Sequence, residues 1–558
     1  MFEDKKETPK GLGEVVEPVE ESGSDTGSPK VHVPEIMAEK DPKPGRALHF
    51  VTKRDIDDTT LWYNQHKPSA RALEPHEIKK VNQKNIWFLL MQTWWVAFLI
   101  HLDKSTLAQA STMGIFEDVK IKKDQFNHLF VIFFAGYLIA LWPGAALAQR
   151  VGQKQFIVGS LATWALLLGM HPLAKNYSQM IALRFLLGMV SHTRDPSSRV
   201  TDRSVDNRPS PGLLPPKKSP WVQLLWWASG SFANVLLTMV SYRLILDDNH
   251  HSLAGNLSSW KWMHIICVIL TFIVILPLAI FLPNSPVDAK WLTVDEKIHT
   301  IDAIRATHAG ISNKTFKWSQ VRECFTDPKS WLFIMHMFFN ELPNNTSQQL
   351  PLILVGFGFT PAQSALFNIA KPLWGSFLIL VSAAMLYLTD LGVGYTCAIS
   401  YISCFVGGLI MLTAPWSNKI ALVVGTQIST FKPSYLLGLS WAGTATIGYT
   451  KKLYVMSTCI VAASVANMIS PEFWQSKYKP RYILPWAFMT AFWFISPIMC
   501  LIIRFYLQKE NKKRAAILAQ RGSESDNDVL EVGSEIMRLK DEDLDLTDRQ
   551  NLRFVYPL

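Results

Sequence analysis

A chain of 558 residues of which 49% are hydrophobic and only 18% charged departs from ordinary soluble domains, where roughly a quarter of residues carry charge. The net charge of +10 does not read as a nucleic-acid surface, because Lys and Arg gather in short clusters between apolar blocks, such as Lys451-Lys452 and residues 509–514. Six cysteines without a CxxC pair, mostly inside apolar runs, give no expectation of a metal, a disulfide or a cofactor.

In chain order, residues 1–84 are rich in Glu, Asp, Ser, Pro and Lys and are expected to form a disordered cytoplasmic N-tail. Apolar stretches follow at 85–102, 126–149, 156–173, 177–192, 221–246 and 260–282, each compared with the about 20 residues that cross a bilayer. They make a first half, 85–282. Residues 283–330 are polar and read as a cytoplasmic connector, in which Thr293 and Glu296 fit a capping box and Ile298, Ile301 and Ile304 share one helix face. Six more stretches, at 331–357, 373–389, 391–416, 420–443, 453–470 and 482–503, make a second half, 331–507, before a charged cytoplasmic C-tail at 508–558. Six spans, a polar link and six spans is a plan common among secondary transporters. The basic residues favour the connector and tails as the inner side, so both termini are expected in the cytoplasm. The sequon at Asn256 then falls in an outer loop, where it would be glycosylated.

Ionisable groups inside apolar spans are costly and mark pathways. Asp103, Arg184 and Glu341 are the candidates, with Lys371 and Lys432 as further possibilities; for Asp103, at the outer end of the first span, and for Lys371 a snorkelling role explains the charge as well. An acid could carry a proton: Asp103 or Glu341. A buried Arg184 would attract a carboxylate through paired hydrogen bonds. Asn344, Asn345 and Gln348 form part of a polar cluster too expensive to expose to lipid and are expected to face a cavity, as substrate contacts. His128, His171, His264 and His336 are weaker candidates for proton relay. No GxxxxGK[ST] phosphate loop is present, which disfavours an ATP-driven pump, and no metal or catalytic constellation points to an enzyme.

Several strings carry a resemblance. Residues 102–107 (Leu-Asp-Lys-Ser-Thr-Leu), 133–138 (Phe-Phe-Ala-Gly-Tyr-Leu) and Arg184-Phe185-Leu186-Leu187-Gly188 look like motifs of the fungal allantoate permease family, anion:cation symporters of the major facilitator superfamily. So do Gly356-Phe357-Gly358-Phe359, Trp416-Ser417-Asn418-Lys419, Ser440-Trp441-Ala442-Gly443, Thr450-Lys451-Lys452 and Pro480-Arg481-Tyr482, so the resemblance spans about 85–513. It implies an all-α integral membrane protein, a major facilitator-type bundle of twelve transmembrane helices in two six-helix halves. It also implies import of a small organic anion with protons by alternating access, the anion being allantoate- or ureidosuccinate-like or a carboxylate vitamin.

One stretch departs from that family. Residues 193–220 are rich in Pro, Arg, Asp and Ser without periodicity, so helix four is expected to be truncated near His192. The stretch reads either as a frame shift or mis-spliced segment in the gene model or as a genuine long cytoplasmic loop after a short helix; a real segment of this kind would make an inactive copy. The remaining rival is a nutrient sensor that keeps the fold without transporting. The expectation is a monomer in the plasma membrane whose partners are the organic anion, protons and lipid, with no nucleic acid.

Overall fold

The computed structural model of the protein describes residues 37–38, 49–50, 62–63, 65–69, 71, 73–151, 153–191, 219–249, 257–283, 286–306, 317–521, 529–532, 535–538, 547–552 and 554–558. Residues 1–61 form a separate unit in which Met37–Ala38 pairs antiparallel with His49–Phe50; everything described below belongs to residues 62–558.

Six helices build the first half: α1 Pro75–Ala110, α2 Lys123–Val151, α3 Gln153–Met170, α4 Tyr177–Ser191, α5 Ser219–Asn249 and α6 Ser259–Phe281. The helix α1 opens ten residues before the expected first span, at a capping box in which the Glu74 and Glu77 side chains each accept the other's backbone N–H. That opening turn is polar and lies outside the apolar stretch, so hydropathy does not mark it. Asp103, expected at the outer end of its span, is inside the helix, which runs on to Ala110. The expected truncation at His192 and the residues up to 218 lie outside the described residues; Ser219 and Pro220, expected within the irregular stretch, instead open α5, where proline gives up no helical hydrogen bond.

The expected connector helix is present as α7, Val294–Ala306, with Thr293 Oγ1 accepting from Glu296 N at 3.4 Å and Glu296 Oε2 accepting from Thr293 N at 2.9 Å. Its Ile298 and Ile301 bury against Tyr63, and Thr300 accepts from Asn85 Nδ2 at 3.0 Å. Part of the expected disordered tail is therefore ordered: residues at and after Trp62 pack on the connector at the face where α1 begins. A second connector helix, α8 Trp318–Thr326, leads into the other half.

There the expected seventh, ninth and tenth stretches are each divided between two helices, while the eighth is a single helix preceded by a short one. The pairs are α9 Pro328–Glu341 with α10 Thr346–Gly356, α11 Pro361–Phe367 with α12 Ala370–Leu388, α13 Gly392–Ile399 with α14 Ile402–Thr413, and α15 Lys419–Ile428 with α16 Ser434–Thr444. Prolines 343 and 433 sit in two of the breaks, where they cannot donate to a continuing helix. The helices α17 Tyr449–Ile469 and α18 Ile483–Arg521 complete the half. All twelve apolar stretches thus lie on helix, and eight helical segments among the described residues are long and apolar enough to cross a membrane. On α6 the membrane-facing side is explicit: Ile269, Ile273, Leu276 and Ile280 form an exposed stripe, while Cys267, Thr271, Val274 and Leu278 are buried. A helix that turns its largest apolar residues outward has lipid, not water, as its solvent.

Buried apolar side chains fall into two main clusters, one for each half. In the first, α2 and α4 come within backbone contact. A Cβ added to Gly188 would fall on the Phe133 carbonyl oxygen and one added to Gly136 on the Phe185 carbonyl oxygen, whereas Gly159 faces open space. In the second, residues 547–552 and 554–558 fold back onto the helices. Asp548 is fully buried between Lys329 Nζ at 2.6 Å and Lys451 Nζ at 2.9 Å, and Lys451 also meets Asp327 at 2.7 Å and Glu323 at 2.8 Å. Leu558 O accepts from Val393 N at 2.8 Å and Pro557 O from Trp441 Nε1 at 2.8 Å, closing the segment over the end of the bundle.

Gly188→Ala is expected to destabilise the protein by about 1–3 kcal/mol through forced separation of α2 and α4, while Gly159→Ala leaves thermal melting in detergent unchanged. Removing the Asp548 carboxylate strands two lysines, so Asp548→Ala is expected to cost about 3–5 kcal/mol. Burial would raise the Asp548 carboxyl, but the charges of Lys329 and Lys451 outweigh it and hold the group below its usual value. The ion-pair contribution is accordingly complete at and above the ordinary carboxylate value and is lost as pH falls through the depressed one. The melting difference between the wild type and Asp548→Ala should be flat near neutral pH and close only in acid.

Candidate functional site

Breaking a helix in a membrane leaves backbone groups without their i→i−4 partners, and side chains must supply them. At the α9–α10 break this is visible atom by atom. Ser347 Oγ donates to Asn344 O at 3.1 Å, Ser470 Oγ accepts from Asn345 N at 3.2 Å, and Lys371 Nζ donates to Ser347 O at 3.3 Å.

Glu341, the last residue of α9, faces this break and is nearly buried. Its Oε1 accepts from Asn340 Nδ2 at 2.8 Å and its Oε2 from Asn467 Nδ2 of α17 at 2.9 Å. The network extends both ways. Asn344 Nδ2 donates to Asn467 Oδ1 at 2.7 Å, while Asn340 Oδ1 accepts from Tyr401 OH at 2.5 Å and Ser434 Oγ at 2.8 Å. One carboxylate is thereby joined through amides and hydroxyls to three other helical segments. Protonation would turn one of its oxygens from acceptor to donor and require an amide to reorient.

Of the expected site residues, the fold gathers Glu341, Asn344, Asn345 and Lys371 around the break, with Gln348 half-buried one turn on. Lys432 is half-buried in the α15–α16 break, apart from this group. Arg184 is buried inside the first half, where its charge is felt by His171 and His264, whose rings stack at 5.6 Å. The fold does not bring Arg184 together with Glu341. The side chain of Asp103 and the sequon residue Asn256 lie outside the described set, although Ser258 of the sequon donates to Asp118 Oδ2 at 2.5 Å. Asn340, Asn467, Tyr401 and Ser434 were not anticipated; single amides and hydroxyls in apolar helices have no spacing signature, and the only available signal was their polarity at membrane depth.

Hydrogen bonds that join the halves gather at the face where α2 begins. Asp124 accepts from Ser476 N at 2.9 Å and Ser476 Oγ at 2.6 Å; Asn127 Nδ2 donates to Trp474 O at 3.0 Å and its Oδ1 accepts from Gln349 Nε2 at 2.8 Å; Lys123 contacts Tyr482 OH. Midway along the helices, Ser231 Oγ donates to Pro372 O at 3.2 Å and accepts from Ser376 Oγ at 2.7 Å. The halves are therefore latched at the face opposite the connector.

Comparison with known proteins agrees with this architecture. Residues 93–200 match the model of the Major Facilitator Superfamily. A high affinity cysteine transporter of Saccharomyces cerevisiae is 28% identical over 91% of this chain and 96% of its own length; the allantoate permease of the same yeast is 22% identical over 88% of each. The crystal structure of a D-xylose-proton symporter superimposes with a TM-score of 0.55 at 11% identity, covering 74% of this chain and 97% of that one. The chain has the all-α major facilitator fold; it is an integral membrane transporter and not an enzyme. The allantoate permease resemblance narrows to fungal transporters of this fold, since the cysteine transporter is more similar than the allantoate permease.

Asp124→Ala removes both bonds to Ser476 and is expected to loosen the latch. A Cys placed at residue 475, half-buried between Trp474 and Ser476, should then react several-fold faster with a membrane-impermeant maleimide than in the Asp124 parent; equal rates would show that the latch does not depend on this pair.

Proposed function

We propose that the protein imports a small carboxylate-bearing nutrient together with protons, by alternating access between the two halves. Glu341 carries this reading: it is a nearly buried acid held by two amides beside a broken helix, positioned to take up a proton and transmit the change to α17, to Tyr401 between α13 and α14, and to α16. The carboxylate of the substrate is assigned to Lys371 with Asn344, Asn345 and Gln348. Lys371 is the cation at the break, whereas Arg184 is enclosed with two histidines within the first half. On this reading Arg184 acts inside its own half and positions α4 for the motion. Asp103 remains a second candidate for the proton.

The substrate class follows from chemistry shared by the relatives: cysteine and allantoate both present a carboxylate to a transporter. An amino acid, an allantoate- or ureidosuccinate-like anion and a carboxylate vitamin all fit. We further assign twelve crossings, halves at 85–282 and 331–507, both termini to the cytoplasm, and a monomer in the plasma membrane. With that orientation the latched face is extracellular, so the conformation is closed outside.

Uptake of labelled cysteine, allantoate and nicotinate into cells expressing the protein, with and without a protonophore, tests the proposal. Accumulation should collapse with the gradient. Glu341→Gln should abolish gradient-driven accumulation yet retain exchange of substrate across the membrane. Lys371→Ala should weaken uptake tenfold or more, and Arg184→Lys should weaken it less. Accumulation by Glu341→Gln at the wild-type level and gradient dependence would remove that residue from coupling.

A further inference from the structure

One helical turn from the Asn340–Tyr401–Ser434 layer, on the same helices, lies a second layer that the transport reading does not use. Four residues back along α9 and α13 are His336 and Cys397, and Cys500 of α18 reaches the same point; all three are buried. Cys500 Sγ is 3.4 Å from Cys397 Sγ and 3.6 Å from His336 Nδ1, and Cys397 Sγ is 3.9 Å from His336 Nε2. One ring nitrogen and the two sulfurs lie within 4.8 Å of one another.

We propose that His336, Cys397 and Cys500 form a site for a single thiophilic divalent cation, of which Zn2+ is the best match. Three physical arguments meet here. First, the edges fit: an ion with Zn–S near 2.3 Å and Zn–N near 2.0 Å, bonded tetrahedrally, holds its donors about 3.5–3.8 Å apart. Through Nε2, the ring nitrogen near both sulfurs, the observed edges are 3.4, 3.9 and 3.9 Å and need only small adjustment. Second, the imidazole faces sulfur at both nitrogens, at 3.6–3.9 Å, and thiols are weak hydrogen-bond partners for so buried a ring. A metal bond supplies the strong interaction that the thiols do not. Third, the charge closes: two thiolates and a neutral imidazole around Zn2+ sum to zero, which a low-dielectric interior accepts, and the two thiol protons leave as the ion enters. The surroundings make room for the ring. A Cβ on Gly438 of α16 would sit 2.7 Å from His336 Nε2, so a side chain there would displace the ring, and Ser434 O, 3.7 Å from Cys397 Sγ, offers an oxygen toward a fourth position.

Occupancy would tie α9, α13 and α18 together one turn from the Glu341 network, so the cation would set how far these helices can move. The site stands independently of which substrate is carried.

The test uses the full chain, purified in detergent through a tag without histidines. After growth in zinc-supplemented medium, elemental analysis should find one zinc per chain. The chelated protein should take up one Co2+ and show the thiolate-to-cobalt charge-transfer band. The double variant Cys397→Ser/Cys500→Ser should lose both signals, while Cys404→Ser/Cys459→Ser, which alters buried thiols elsewhere, should keep them. Where the first double variant fails to fold, thermal melting of the chelated wild type decides: Zn2+ should raise the midpoint by several degrees and Mg2+ should not. Zinc content unaffected by loss of both cysteines, absence of the cobalt band, or a midpoint indifferent to Zn2+ would each overturn the assignment and leave the cluster as packing.

Discussion

A charge or a free backbone group removed from water must find its partner inside the protein, and in this chain that requirement shapes the whole second half. Three of its six apolar stretches are divided, and where the helix is interrupted carbonyls and amides lose helical partners at membrane depth. Hydroxyls, amides and one lysine fill them: Ser403 Oγ donates to Ile428 O at 2.7 Å across two breaks, as Lys371 does to Ser347 O. The breaks and the polar residues are therefore one feature. An apolar substitution at Ser347 or Ser403 would leave a buried carbonyl unpaired, whereas the same change on the lipid-facing stripe of α6 would cost almost nothing.

The same requirement explains why residues 547–552 and 554–558 are ordered. Lys329 and Lys451 lie at the ends of α9 and α17, fully buried, and Asp327 and Glu323 alone would leave Lys329 with only a 3.9 Å carboxylate contact. Asp548 completes the pairing, with its remaining oxygen capacity taken by Tyr556 OH at 2.8 Å, and Arg514 fixes the segment by donating to Asp548 O at 2.7 Å. Hydropathy classed these residues as a charged tail because it reads charge as solvated. The pairing partner of Lys329 is 219 residues away, a distance at which no local pattern can announce it.

What was legible in the sequence follows this division. Apolar length marks where chain enters lipid, and all twelve stretches lie on helix; the capping box at Thr293 and Glu296 is a local four-residue device and was legible too. Glu341 stood out because it is a charge amid apolar residues. Its holders did not: Asn467 is a single amide on an apolar helix, 126 residues on, and Asn340 is read as the neighbour of a glutamate. Arg184 stood out for the same reason as Glu341, yet depth alone does not say which way a side chain points. The helix α4 turns it toward His171 and His264, while Gly188 and Phe185 face α2. The cysteines were read as lone hydrophobes because no two share a motif, and only the three-helix contact of α9, α13 and α18 brings two of them to one histidine.

These constraints also bear on motion. The halves meet through hydrogen bonds at the ends of α2 and the α17–α18 loop, with a second contact between α5 and α12 midway. Each bond there has at least one neutral partner; a typical neutral one contributes about 0.5–1.5 kcal/mol net and one to the charged Asp124 or Lys123 about 1.5–3 kcal/mol, so the set opens at modest cost. Within the second half the reverse holds: opening the Lys329–Asp548–Lys451 cluster or the Glu341 network would strand charge in low dielectric at several kcal/mol per ion. The half must therefore move largely as a body, and the surface that gives way is the latch between the halves. Glu341 lies beside both the broken helix and the amide of α17, and on the proposed reading it is the point at which a proton would act on this unit.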